Sequence, residues 1–186
     1  MKFLKYLLAL ILLLVLIFFA LGFFTPSVSY DCEVTVDQPA KVAWAVMSDE
    51  TKVADWIKGY KRSELVSGTP NTVGAVTNVY VEEAGEEMMM TETITALVPM
   101  KQMSMDFTMD FMDMEYDMQL EEKDGKTVIK TKSTTVGNGM LAKSIVSLMP
   151  SAMKAQEEEN LKNLKKLIEE NTKNYFPEPV EEIIEE

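Results

Sequence analysis

Between Met103 and Leu120 the chain alternates: Met103, Met105, Phe107 and Met109, then Met112, Met114, Tyr116, Met118 and Leu120, stand at every second position. Asp106, Asp110, Asp113, Glu115 and Asp117 fall among them on the other parity. A period of two sends successive side chains to opposite faces of a strand, so the pattern predicts two strands with one dry and one wet face. The dry face is made of methionine where a core normally uses Val, Ile and Leu. An unbranched, polarizable thioether adapts its shape to its neighbour, which suits a wall against a variable apolar guest.

The same reading extends along the chain. Tyr30 to Val36 alternates Cys32, Val34 and Val36 against Asp31, Glu33 and Thr35 and predicts a first strand. Pro39 marks a helix start, with Val42, Ala43, Val46 and Met47 as its apolar stripe and Asp49 at its end; Val53 to Ile57 gives a second short helix. Turn signals at Gly68 to Pro70, Asn71 to Gly74, Ala84 to Glu87, Pro99 and Asp124-Gly125 then divide a meander of strands at about 60–66, 74–82, 87–98, 101–110, 112–122 and 126–135. From Asn138 to Thr172, Leu141, Ile145, Leu148 and Ala152, then Leu161, Leu164 and Ile168, recur at helical spacing, and Pro150 should kink or restart that helix. One strand, two short helices, six more strands and a long terminal helix describe an α+β domain: a curled antiparallel sheet around the last helix.

Ahead of this domain, Leu4 to Phe24 is a nearly unbroken apolar run preceded by Lys2 and interrupted by Lys5 and Tyr6. Roughly 20 such residues cross a bilayer, whereas a secretory signal has an apolar region of about 7 to 15, and Ala20 to Gly22 leads into Phe23 and Phe24 rather than a polar start. The run therefore reads as an uncleaved transmembrane helix, with a signal peptide as the alternative. The positive charge before it, and Asp31, Glu33 and Asp37 ahead of Lys41 after it, predict a cytoplasmic N-terminus and an extracytoplasmic domain at the inner (plasma) membrane. The boundaries that follow are 1–28 for anchor and juncture, 29–174 for the domain, and 175–186 for an acidic, disordered tail that holds Pro177 and Pro179.

Charge and chemistry narrow the function. A formal charge of -12 and a single arginine, Arg62, exclude nucleic acid as a partner, since phosphate binding needs clustered basic residues. The acidity serves solubility first; no DxDxDG loop supports a calcium cage. The chain has no histidine, so the usual general base near neutral pH is missing, and Cys32 has neither a disulfide partner nor an imidazole to activate it. Tyr80, Tyr116 and Asn78 are the polar groups an enzyme could use, without forming a motif. Met88-Met89-Met90, Met103-x-Met105 and Met112-x-Met114 offer thioethers to Cu(I), an alternative that no His or Cys supports. No cofactor is expected.

The segment Pro39-Ala-Lys-Val-Ala-Trp44-Ala-Val-Met-Ser-Asp49, followed by Trp56, Gly68 and Gly74, resembles the START-related SRPBCC superfamily that includes polyketide cyclase/dehydrase and lipid-transport domains. The resemblance covers about residues 29 to 172, and Ala43 stands where that family usually has Val. It implies a helix-grip fold with a hydrophobic cavity between sheet and terminal helix. On that basis the expected lining is Met103, Met105, Phe107, Met109, Met112, Met114, Tyr116 and Met118 from the sheet, closed by Met149 and Met153 from the helix. The expected partner is a lipid or other hydrophobic small molecule, held by a module tethered through residues 4–24. A packed, ligand-free interior, an enzyme of the same fold and a Cu(I) binder remain as alternatives.

Overall fold

Alternation of apolar and polar side chains commits seven segments of the chain to strands, and the structure, a computed structural model, describes residues 2–83 and 85–176. The described residues form one seven-stranded antiparallel sheet in the order β1-β7-β6-β5-β4-β3-β2. Its strands are β1 (Ser27–Val36), β2 (Tyr60–Ser67), β3 (Val76–Glu83), β4 (Glu86–Val98), β5 (Gln102–Thr108), β6 (Met112–Lys123) and β7 (Lys126–Gly137). Each of β2 to β7 pairs with its sequence neighbour, and β7 closes the arrangement by pairing with β1. The turns are placed by chemistry as expected: Asp124 and Gly125 both adopt positive φ in the tight β6–β7 hairpin, where Asp and Gly tolerate the left-handed region.

The helices are α1 (Lys2–Phe24), α2 (Ala40–Met47), α3 (Val53–Trp56), α4 (Met140–Val146) and α5 (Pro150–Glu169), with a 3-10 turn at Glu50–Lys52. The expected long terminal helix is therefore two helices. Pro150 is the first residue of α5, a position where its missing N–H costs nothing, and the preceding residues turn out of α4. Pro39 caps α2, and the Glu122 carboxylate at the end of β6 accepts from the first amide of that helix at 2.9 Å.

The core sits where α5 and α2 cross the β1–β7–β6 part of the sheet. Leu161, Leu164 and Ile168 of α5 bury fully with Val36, Val46, Met118 and Ile129, each contributing about 1.5 to 3 kcal/mol by removal from water. Trp44 and Trp56 lie partly buried against this cluster. Tyr175 belongs to it as well: it packs on the core and its hydroxyl donates to Asp49 Oδ2 at 2.8 Å, while Lys41 covers the Phe176 ring. Tyr175 and Phe176, which the sequence boundary puts in a tail, are thus docked on the domain. Lys173 completes the clamp on Asp49 at 2.7 Å, and residues 177–186 lie outside the described residues.

The α1 helix, 23 residues with an 18-residue stretch of mean hydropathy 3.2, is long and apolar enough to cross a membrane. Its last turns pack on α4. Gly22 is buried there against Ser144, so closely that a Cβ would collide with the Ser144 backbone and hydroxyl.

Candidate functional site

The register lays the sheet out in rows of side chains that share one face. One row runs Val28, Thr135, Met114, Phe107, Glu92, Thr77, Leu65, and the next runs Tyr30, Ser133, Tyr116, Met105, Ile94. A third runs Cys32, Thr131, Met118, Met103, Leu97. Met118, Met103 and Tyr116 pack with α5 residues in the core, so this is the concave face that the helix covers. The opposite parity, with Asp106, Asp113, Glu115 and Asp117, forms the convex face, as the alternation predicts. Asp117 is held there by Ser104, Gln102 and Gln119; burial works to raise its pKa, but these hydrogen bonds outweigh it and keep the carboxyl low. A polar depression of about 300 Å³ beside it is lined by residues such as Ser104, Asp106, Glu115 and Lys132.

The expected lining residues divide. Met105 and Met118 are buried; Met103, Phe107, Met109, Met112, Met114 and Tyr116 are half-buried. Met105, Phe107, Met103 and Tyr116 gather with Ala75, Ile94 and Leu97 in a second apolar cluster beyond the edge of α5. Met109 and Met112 sit at the β5–β6 turn, joined by a backbone hydrogen bond. Met149 caps α5 and Met153 lies in its first turn, both half-buried. Of the methionine run in β4, Met88 and Met90 share the concave parity with Val81 and Val79, whereas Met89 pairs with Tyr80 on the other face, so the three thioethers do not converge. Among the described residues no cluster of His, Cys, Asp or Glu side chains is arranged for a metal ion.

Tyr80 and Asn78 also lie on the convex face. Tyr80 stacks under Arg62 and donates to Glu64, and Asn78 accepts from Thr91 at 3.1 Å, so neither shares a surface with Tyr116. Tyr116 points inward, and its hydroxyl donates to Glu157 Oε1 of α5 at 2.8 Å.

Glu157 is the group that the alternation of the strands could not reveal. It follows Met153 by four residues and precedes Leu161 by four, so it rides the buried stripe of α5. Burial pushes its carboxyl up against hydrogen bonds from Tyr116 and Thr131 that favour the charged form. The Tyr116 phenol is driven well above its ordinary value by burial and then by the Glu157 charge, and Tyr30 rises for the same two reasons. Ser133 lies close enough to Tyr30 to ease its proton loss without a well-formed hydrogen bond, and the fully buried hydroxyls of Ser133 and Thr135 have no partner among the described residues. Glu92 is a second inward carboxylate, on β4 between Phe107 and Thr77, and burial alone raises it. The face thus combines a thioether and aromatic wall with a few desolvated acids and hydroxyls, able to hold an apolar body and to exchange a proton or hydrogen bond at one end.

The sequence profile of a family described as polyketide cyclase / dehydrase and lipid transport matches residues 27–169. No curated protein matches the chain. Among solved structures, the Zhui aromatase/cyclase from Streptomyces sp. R1128 superposes with a TM-score of 0.65 at 17% identity, over 77% of this chain and 94% of that one. The crystal structure of Ara h 8.0201 gives 0.60 at 17% identity, over 77% and 95%. A protein from Thermus thermophilus gives 0.62 at 14% identity, over 77% and 97%. At such identities the likeness establishes the helix-grip fold and leaves the chemistry to the side chains described above.

Proposed function

The chain belongs to the polyketide cyclase/dehydrase and lipid-transport family of the SRPBCC superfamily, and from that premise we propose that it is a membrane-tethered module that holds a lipid or other apolar small molecule on its Met-bearing concave face. The observation that carries this reading is the uncovered half of that face. Met103, Met105 and Phe107 form an apolar cluster that α5 leaves partly open, on the same face as the exposed Leu65 and Met88. Apolar surface of this kind left in contact with water is most simply explained by a guest that covers it.

The tether supports the same reading. α1 is anchored to α4 at Gly22, and Met140, Leu141 and Leu148 in and after α4, with Phe23 and Phe24, are exposed around that contact. Such residues suit the bilayer interface, and they keep the domain close to a source of apolar ligands. With Lys2 and Lys5 before the span, the domain lies on the extracytoplasmic side of the inner membrane.

Organic extraction of the full-length protein, purified from its own membranes and followed by mass spectrometry, tests the proposal. A lipid-class molecule recovered in proportion to protein is the expected result. An interior that is empty in repeated preparations overturns it, and a copper-sized adduct on the intact chain transfers the role to the methionines as thioether ligands.

The pairing of Tyr116 with Glu157 favours a second reading, an enzyme of this fold in which a desolvated acid and a phenol move protons on a bound substrate. With an extracted molecule as substrate, Glu157→Gln and Tyr116→Phe would each lower turnover about tenfold or more, and unchanged rates would end that reading.

A further inference from the structure

On the concave face the sheet carries acids without bases. Among the described residues, no lysine or arginine occupies a concave register position: Lys126, Lys130 and Lys132 of β7 and Arg62 of β2 all fall on the convex parity, and Lys61 turns to Glu82 at 2.7 Å. Besides the exposed Glu83 and Glu86 at the β3–β4 turn, three carboxylates face inward. Glu122 is used as the cap of α2, and Glu157 is met by the hydroxyls of Tyr116 and Thr131. Glu92 has no hydrogen-bond or ionic partner among the described residues and is half-buried among Phe107, Thr77 and Met90, where burial raises its carboxyl.

Partly buried carboxylates without a counter-charge are unfavourable, and Glu92 and Glu157 have none among the described residues. A guest that supplies positive charge and N–H donors would relieve that deficit. A guest with a carboxylate or phosphate head would instead meet like charge with no basic residue to neutralise it. We propose that the guest is an apolar molecule with a cationic amino head, its chain along the methionine rows and its head drawn to the carboxylates of Glu92 and Glu157. This deepens the binding function proposed above and rests on it.

The test is native mass spectrometry of the full-length protein in non-ionic detergent, incubated with an equimolar mixture of dodecylamine, dodecan-1-ol and dodecanoate. The three probes share one chain and differ in the head alone. Dodecylamine is expected to exceed dodecanoate in occupancy by about tenfold, as charge-assisted hydrogen bonding at a desolvated site implies. Glu92→Gln and Glu157→Gln should each reduce that preference several-fold, whereas Asp113→Asn, the same change of charge on the convex face, should leave it intact. Circular dichroism of each variant keeps a folding defect apart from a binding one, and Glu92→Gln, on the open half, decides the matter if Glu157→Gln does not fold. Equal or greater occupancy by dodecanoate, or equal effects of all three substitutions, overturns the head-group assignment while leaving a binding module in place. No occupancy by any probe overturns the binding function itself.

Discussion

Along the cross-strand row that begins at Val28, exposure is 6% at Val28 and 0% at Thr135 under the helices, and reaches 48% at Leu65 at the far edge. Every position in that row has the same inward parity, so the two halves of the concave face differ in what lies over them rather than in how their strands are patterned. α5 and α2 cover the β1–β7–β6 half, whose residues form a packed core. Over β5 to β2 nothing comparable lies among the described residues, and the same kind of apolar side chain there forms a trough. Methionine is concentrated at the border between the two. A residue that adapts its shape fits a boundary where the neighbour is helix on one side and solvent or guest on the other.

The sharpest way to break this comparison is to place a charge at a buried and at a half-buried methionine of the border itself. Met105, 8% exposed, cannot hydrate an introduced carboxylate. Met105→Asp should cost several kcal/mol and prevent cooperative folding, seen as loss of the thermal transition in circular dichroism. Met114→Asp, at a half-buried position, should keep the transition and lose the bound molecule. Should both variants fold and retain ligand, the wall has been assigned to the wrong face.

Truncation makes the same point with uncharged groups. Leu164 is fully buried in α5, and Leu164→Ala should destabilise by about 3 kcal/mol, because a cavity there cannot collapse. Leu65→Ala, on the open half, should change stability by no more than about 0.5 kcal/mol. Urea unfolding midpoints at constant slope give both values, and similar losses at the two sites would mean that the trough is core after all.

What could be read in the sequence follows from which of these regions a residue occupies. The seven strands, the short helices and the restart at Pro150 were legible because a local pattern and a local breaker coincide there. The site was legible only as a wall. Glu157 lies in Gln156-Glu157-Glu158-Glu159-Asn160, which reads as a solvated helix face, and only its four-residue spacing from Met153 and Leu161 marks it as inward. Glu92 was hidden by an irregularity: the register shift between Ile94 and Ala96 changes parity, so that Leu97 rather than Ala96 continues the concave face, and no single alternation runs the length of β4. The buried stripe of β7 is Thr127, Thr131, Ser133 and Thr135 with Ile129, polar residues that composition alone would leave on the surface. Their burial comes from α2, α4 and α5 packing over that strand, a tertiary fact with no local signal.

A smaller effect isolates the polar link between the halves. Tyr116→Phe removes the donor to Glu157 without altering the ring that packs against both apolar clusters. The loss should be about 1 to 2 kcal/mol in urea unfolding, the cost of leaving a desolvated carboxyl less satisfied. A loss below about 0.3 kcal/mol would show that water already serves Glu157 and that the two halves are not joined through this bond.

The finest test uses protons. Burial raises Glu157, so the folded chain holds that proton more tightly than the unfolded chain, whose glutamates titrate near 4.5. The stability contributed by the protonated form is complete below about pH 4.5 and is lost as pH rises through the raised folded value. Asp49 works in the opposite direction: hydrogen bonds from Lys173, Thr51 and Tyr175 hold it well below its ordinary value, so its contribution is present above pH 3.8 and disappears as pH falls further. The wild-type curve mixes the two, and subtracting it from that of Glu157→Gln removes Asp49, which both proteins share. The amide of that variant stays neutral and can still accept from Tyr116, while the ionised wild-type acid carries its charge in a half-buried site beside the Tyr116 and Tyr30 phenols and the Cys32 thiol, with Lys154 acting on that thiol. The variant should therefore gain on wild type by about 2 to 4 °C in Tm between pH 4 and pH 8. A flat difference would place Glu157 in water, on the exposed side of the border that divides this face.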